Sequence, residues 1–218
     1  MLGLGNSIIG GAALDQFTPA SINNLALWLK NGTGVTAAQW DDSSGNDNHV
    51  TQSTSGNQAT VTGGGLDFEE DNTDHYDLTS KITVSANHNF IVGFVITPEN
   101  PTADRNCILG DDNNEFIDYQ ADRVAINYSG TETTYIGDSA LFSDGTKAAV
   151  VISRNDGSTG TSNITINGVL PAGSYTNQTN NKAFEFDEIG VRNGSGRPFD
   201  GILHELVFYD LGTGTHTA

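Results

Sequence analysis

The chain has 218 residues, 36% of them hydrophobic, and 27 acidic against nine basic side chains, for a formal charge of −18 at pH 7. So large an acidic excess repels a phosphate backbone, and no basic patch interleaved with aromatics runs along the sequence, so nucleic acid is excluded as a partner. The length suits a single all-β domain with short additions at its ends, and the acidic surface is foremost a solvated coat with no specific partner, although it also suits solubility in salty surroundings or a divalent cation.

Residues 1–20, opening "MLGLGNSIIGG", are small, Gly-rich and apolar, and they end at Thr18 and Pro19 before the first strand-like run. No Lys or Arg precedes the apolar residues, and Gly3, Gly5, Gly10 and Gly11 interrupt them, so neither a secretion signal nor a membrane-spanning helix is expected. The composition is that of an arm, either a disordered terminus or a segment that docks on a neighbouring subunit in a homo-oligomer or a larger assembly, and the near absence of charge favours docking. A domain over residues 21–211 and a short tail over 212–218 complete the expected organisation.

A short helical turn is expected near "SINNLALWL"; beyond it, apolar residues come in short runs bounded by Gly, Asn, Asp and Ser, which are strand signals. The clearest are Asn89 to Thr97, Ala148 to Arg154, Ser162 to Gly168 and Gly201 to Asp210. In the first, Phe90, Val92, Phe94 and Ile96 face one way and Ile91 and Val95 the other, so a central strand covered on both sides is expected. The connection "NDGSTGT" between Arg154 and Ser162 is a hairpin signal. Together these runs predict a sandwich of two antiparallel sheets. Cys107, the single cysteine, forms no intrachain disulfide and is expected at or near the core.

Several blocks carry a resemblance. "LALWL…VTAAQWDDSSGNDNHVTQST", "GGGLDFEEDNTDHYDL", "ITVSANHNFIVGFVI", "CILGDDNNEFIDY", "DGTKAAVVISRNDGSTGTSNITINGVL" and "FEFDEIGVRNGSGRPFDGILHELVFYD" follow one another from Asn23 to Asp210. In that order they resemble the laminin-G-like branch of the concanavalin A-like lectin/glucanase superfamily, which implies a jelly roll of two curved antiparallel sheets. The Gly-rich start resembles the N-termini of structural proteins from tailed phages of marine hosts. That similarity implies a virion component, as a capsid decoration or a fibre part, made in a host cytoplasm and displayed on the virion surface with host glycan as a ligand. A bacterial carbohydrate-binding or adhesion module, extracellular, is the alternative.

For "DDSSGNDNH" two readings stand side by side: a loop whose Asx and Ser side chains bond their own backbone, with Gly45 in a conformation other residues resist, and a calcium site using Asp41, Asp42, Asn46 and Asp47, as the resemblance implies. The spacing is not that of an EF-hand, because Gly45 comes too early and no Glu closes the loop. Asp67 to Asp77 holds six acids in eleven residues and "GDDNNE" from Gly110 repeats the theme; each is a solvated loop or a second cation site. His75, among carboxylates, is a candidate for a raised pKa, with a plain surface histidine as the simpler reading. For saccharide stacking the candidates are Tyr119, Tyr128, Tyr135 and Tyr175, while Trp28 and Trp40 are assigned to the core.

Catalysis is not expected. Strict alternation in "FEFDEIG" places Glu185 and Asp187 on one face and Glu188 on the other, with Ile189 where a third acid of the family's glucanases would stand. "GLGNSIIGG" lacks the third glycine of a dinucleotide loop, His204 and Glu205 do not extend to His-Glu-x-x-His, and no Gly-x-Ser-x-Gly occurs.

Overall fold

The computed structural model describes residues 18–102, 105–155 and 159–213. Nearly all of the N-terminal arm, residues 1–17, and nearly all of the tail, residues 214–218, therefore lie outside the described residues. Among those described there are sixteen strands: β1 Leu25–Leu29, β2 Gln39–Trp40, β3 Val50–Thr51, β4 Thr60–Thr62, β5 Gly65–Phe68, β6 Tyr76–Val84, β7 Asn89–Pro98 and β8 Asn106–Gly110, then β9 Phe116–Gln120, β10 Arg123–Tyr128, β11 Thr131–Gly137, β12 Ala148–Asn155, β13 Thr161–Ile166, β14 Gly173–Thr176, β15 Phe184–Ile189 and β16 Gly201–Gly212. The expected helical turn is a three-residue 3-10 turn at Pro19–Ser21, with extended chain after it.

Every strand pair is antiparallel. One sheet has the order β13-β12-β7-β16-β5-β4, with β1 also pairing β16. The other has the order β14-β11-β10-β9-β8-β15-β6-β3-β2. Strand β16 is the longest because it is shared: β7 follows it along one side, while β5 and β1 take successive halves of the other. The two sheets form an all-β jelly-roll sandwich.

The period-two pattern places the core. Phe90 from β7 and Phe208 from β16 stack at 5.6 Å between centroids, Phe184 lies 5.8 Å from Phe90, and Phe186 lies 4.9 Å from Phe208. These four rings, two from each sheet, are fully buried, and burial of each contributes about 1.5–3 kcal/mol. Trp40 is buried in the same cluster and donates its indole N–H to Lys30 O. Trp28 is buried too, as expected. It lies outside that cluster and donates to Glu205 Oε1 at 2.7 Å, with Lys30 Nζ 5.1 Å from its ring. Strand β7 is central as expected, but Ile91 and Val95 are only half-buried; with two layers, each sheet has one face on the core and one face outward.

Among the described residues one arginine is inside. Arg154 is 1% exposed, and its guanidinium lies between the rings of Phe90 (5.1 Å) and Tyr128 (5.2 Å). It donates to His88 O, Lys182 O and Ser85 O, so it ties β12 to two loops at one end of the sandwich. Its charge is carried by carbonyl dipoles and ring faces, and burial pulls its pKa down.

The acidic run from Asp67 is bent by a 3-10 turn at Glu70–Asn72 and by Thr73 at φ +55°. Asp74 folds back beneath it, 1% exposed, and accepts from Glu69 N–H at 3.0 Å. His75 Nδ1 lies 2.8 Å from Thr73 O. Burial pushes the carboxyls of Asp67, Glu69, Asp74, Glu99 and Asp200 above their ordinary values, and repulsion from neighbouring acids adds to it for the last four.

Two outcomes follow. Arg154→Met keeps the aliphatic bulk but removes the donors to the Ser85, His88 and Lys182 carbonyls, and lowers stability by about 3 kcal/mol in urea unfolding; an unchanged midpoint would contradict the role given to the guanidinium. The raised carboxyls bind protons more tightly in the folded than in the unfolded chain, so their penalty is relieved as pH falls through the raised values. Thermal unfolding midpoints therefore rise from pH 7 to about 5, and fall below about 4 as Asp112 and Glu132, held below their ordinary values, take up protons. A steady decline from pH 7 downward would count against this.

Candidate functional site

The loop from Trp40 to Val50 is closed by its own hydrogen bonds. Asp42 Oδ1 accepts the N–H groups of Trp28 (2.9 Å) and Ser44 (2.8 Å), and Oδ2 accepts Ser44 Oγ (2.7 Å) and Asn48 N–H (3.0 Å). Those four donors fill the carboxylate. Asn46 donates to Leu25 O and Ala26 O, Asp41 accepts from Gln39, and Asp47 is exposed at φ +57°. Gly45 has φ +92°, the conformation expected of it. Asp42 is thus committed to the chain, and among the described residues no group of three or more His, Cys, Asp or Glu side chains is placed to hold a metal ion. The donor set as folded does not fit calcium. Asp41 instead lines a groove of about 620 Å³ with Gly34, Val35, Thr36, Gln39 and Val61.

The four tyrosines do not form a stacking platform. Tyr119, Tyr128 and Tyr135 occupy inward positions of β9, β10 and β11 and are at most 1% exposed. Tyr128 bonds Ser162 Oγ and is pushed up to about 12 by burial; Tyr135 donates to Pro171 O. Tyr175 is half-buried against Tyr135, its hydroxyl accepting from Ile164 N–H. Their polar neighbours in sequence are the outward residues of the same strands, which is why the local context misleads.

The acidic strand is bulged. A register shift in β15 between Phe186 and Glu188 resets the alternation, so Glu188 stays half-buried off the core while Ile189 is buried in it. The reset is what lets Ile189 follow Phe184 and Phe186 inward. Glu185 and Asp187 lie 3.8 and 3.6 Å from Lys81 Nζ, which also bonds Asp111 at 2.7 Å.

The outward face of the nine-stranded sheet holds a constellation that no local stretch announces. Phe116 and Asp118 of β9, Arg123 of β10 and Glu132 of β11 point to that side, and the loop between β15 and β16 lies over them. Buried Val191 and Phe199 pin the loop ends, and Arg192 and Gly196 exchange backbone hydrogen bonds across a tight turn. Cys107 N–H donates to Arg197 O. Gly110 of β8 permits the approach, since a Cβ there would stand 2.2 Å from Val191 O.

The guanidiniums of Arg105, Arg192 and Arg197 consequently lie 5.4, 4.7 and 4.6 Å from the Phe116 ring. Asp118, 0% exposed, accepts from Arg105 at 2.7 Å and from Arg197. Glu132 accepts from Arg105 and Arg123, each at 2.8 Å. Burial raises the Asp118 carboxyl while the two guanidiniums draw it back; for Glu132, burial is outweighed by the hydrogen bonds of Arg105 and Thr134, and the carboxyl is lowered. A cleft of about 250 Å³ opens beside them between Glu70, Arg105, Arg197 and Pro198. Cys107 lies beneath, fully buried, its thiol pushed far up by burial. The fold thus builds a basic patch around an aromatic ring where the sequence read in order offered none. Its parts are up to 92 positions apart, and only the recurrence of Arg in "VRNGSGRPF" hinted at it.

No curated protein matches the sequence. Among solved structures, domain 4 of AbnA, an extracellular GH43 arabinanase from Geobacillus stearothermophilus solved with arabinotriose, is similar with a TM-score of 0.55 at 18% identity, covering 88% of this chain and 94% of that one. The receptor binding domain of botulinum neurotoxin D gives 0.56 at 15%, covering 90% and 51%, and Trypanosoma rangeli sialidase gives 0.54 at 14%, covering 88% and 31%. This chain therefore spans about half of the toxin domain and a third of the sialidase, and the likeness is one of fold. A family profile described as the concanavalin A-like lectin/glucanases superfamily, of laminin G type, matches residues 70–212, beginning after the block around Trp40. With about two thirds of its length matched and a two-sheet antiparallel sandwich for its fold, the chain belongs to the concanavalin A-like lectin/glucanases superfamily.

Proposed function

We propose that this protein is a non-enzymatic saccharide-recognition domain displayed on a phage virion. The observation that carries the recognition role is the arginine-lined cleft on the outward face of the nine-stranded sheet, where polar groups converge on a concavity that the core does not need. Support comes from the arabinanase domain, of nearly the same extent, which was solved with arabinotriose. The virion role draws on the Gly-rich start, and residues 1–20 are proposed as the arm that docks on other virion proteins.

The absence of catalysis is part of the proposal. Acid–base hydrolysis uses a pair of carboxyls with separate roles on either side of a glycosidic bond. Here Glu185 and Asp187 share Lys81 as a common counter-ion, together with Asp111.

The test is affinity electrophoresis of the purified chain against a panel of marine and bacterial polysaccharides, with calcium and with chelator, alongside a reducing-end assay. Retardation by at least one polysaccharide is expected, persisting in chelator and without release of reducing ends. Failure to be retarded by any of them would refute the recognition role; turnover would refute the non-enzymatic one. Deleting residues 1–20 is expected to abolish particle association while leaving the circular dichroism spectrum unchanged.

A further inference from the structure

Four of the five arginines of this strongly acidic chain meet on one patch. Against Arg105, Arg123, Arg192 and Arg197 stand Asp118, Glu132 and, at the cleft wall, Glu70. Four guanidiniums are thus gathered on one face of a molecule of formal charge −18, with Glu70 and its acidic neighbours at one side of the cleft.

Arg192 is unlike the other three. Asp118 and Glu132 are taken up by Arg105, Arg123 and Arg197, whereas the side-chain bond of Arg192 goes to a backbone carbonyl, Asn113 O, at 3.3 Å. It forms no ion pair with a described carboxylate, which alone sets it apart, since its Nε is buried without a partner as are those of Arg105 and Arg123. A half-buried guanidinium beside two others is electrostatically strained, and an anion arriving between them would relieve it. Burial and the neighbouring Arg197 both push the Arg192 pKa down, as that crowding requires.

Guanidiniums bind carboxylates and tetrahedral oxyanions alike through paired N–H donors in a fixed fork. Phe116, sealed beneath, holds the three planes in place, so little ordering is left for the binding step. The adjoining cleft offers an apolar wall in Pro198 and a carboxylate acceptor in Glu70, which are the two kinds of contact a sugar ring uses.

We infer that the patch formed by Arg105, Arg192 and Arg197 is a subsite for an anionic sugar, its carboxylate or sulfate ester held by the guanidiniums and its ring in the cleft. This rests on the saccharide-recognition reading and names the ligand class for it.

The experiment is titration calorimetry of the full chain with oligogalacturonate, a sulfated galactan and a neutral galactan, each at low and high salt, for the native protein, Arg192→Gln, Arg192→Lys and the exposed-surface control Lys147→Gln. At least one anionic saccharide binds about tenfold or more tightly than the neutral one, weakens with salt, and loses about tenfold in affinity in Arg192→Gln with the unfolding midpoint unmoved. Which of the two binds tells carboxylate from sulfate. Should Arg192→Gln fail to fold, Arg192→Lys carries the test, keeping the charge but losing part of the affinity with the fork. Neutral binding equal to anionic, or anionic binding untouched in the Arg192 variants, overturns the inference and leaves saccharide recognition standing. Absence of binding to all three, with no other polysaccharide of the wider panel bound, overturns both.

Discussion

A carboxylate wholly shielded from water has to be met by cations or lose its charge. Asp118 is that carboxylate here, and the outward face of the nine-stranded sheet is organised around it. Arg197 reaches it from the loop between β15 and β16, Arg105 from the chain entering β8, and both lay their planes against Phe116. Because Arg105 also holds Glu132, and Glu132 holds Arg123, one buried charge orders side chains from five places in the sequence. In a chain with nine basic residues, the commitment of four to one surface is a large share of what is available.

The two-layer architecture makes that surface possible. Each sheet spends one face on the core, where Phe90, Phe184, Phe186 and Phe208 meet, and the other face is open to different chemistry. On the seven-stranded sheet the outward face carries Trp28 and half-buried aliphatics. On the nine-stranded sheet it carries charge. The bulge in β15 lies at the junction: by sending Ile189 inward it starts the loop that delivers Arg192 and Arg197 to Phe116.

The fold was legible wherever a property repeats along the chain. Alternation in "NFIVGFVIT" marked β7 as a central strand and "GILHELVFYD" was legible as strand β16, Gly45 announced its left-handed conformation, and the lone cysteine was placed at or near the core. Strict alternation failed at Glu188, because one inserted residue shifts every later side chain by a face. The tyrosines were misplaced by the polar residues beside them, which belong to the opposite face of the same strands. Asp42 looked like a metal ligand for the reason that it is useful without one: an oxygen-rich carboxylate in a tight loop suits backbone N–H groups as well as a cation. The arginine patch was illegible because Arg105 and Arg192 become neighbours only through sheet order and a loop crossing.

The account places ligand recognition on the outward face of the nine-stranded sheet, and the most direct measurement is amide hydrogen exchange with and without a saturating bound saccharide. Protection concentrated in the loop of residues 190–199, in β9 and around Arg105 is the predicted result. Protection confined to the groove beside Asp41, or to the outward face of the seven-stranded sheet, with that loop unchanged, would contradict it.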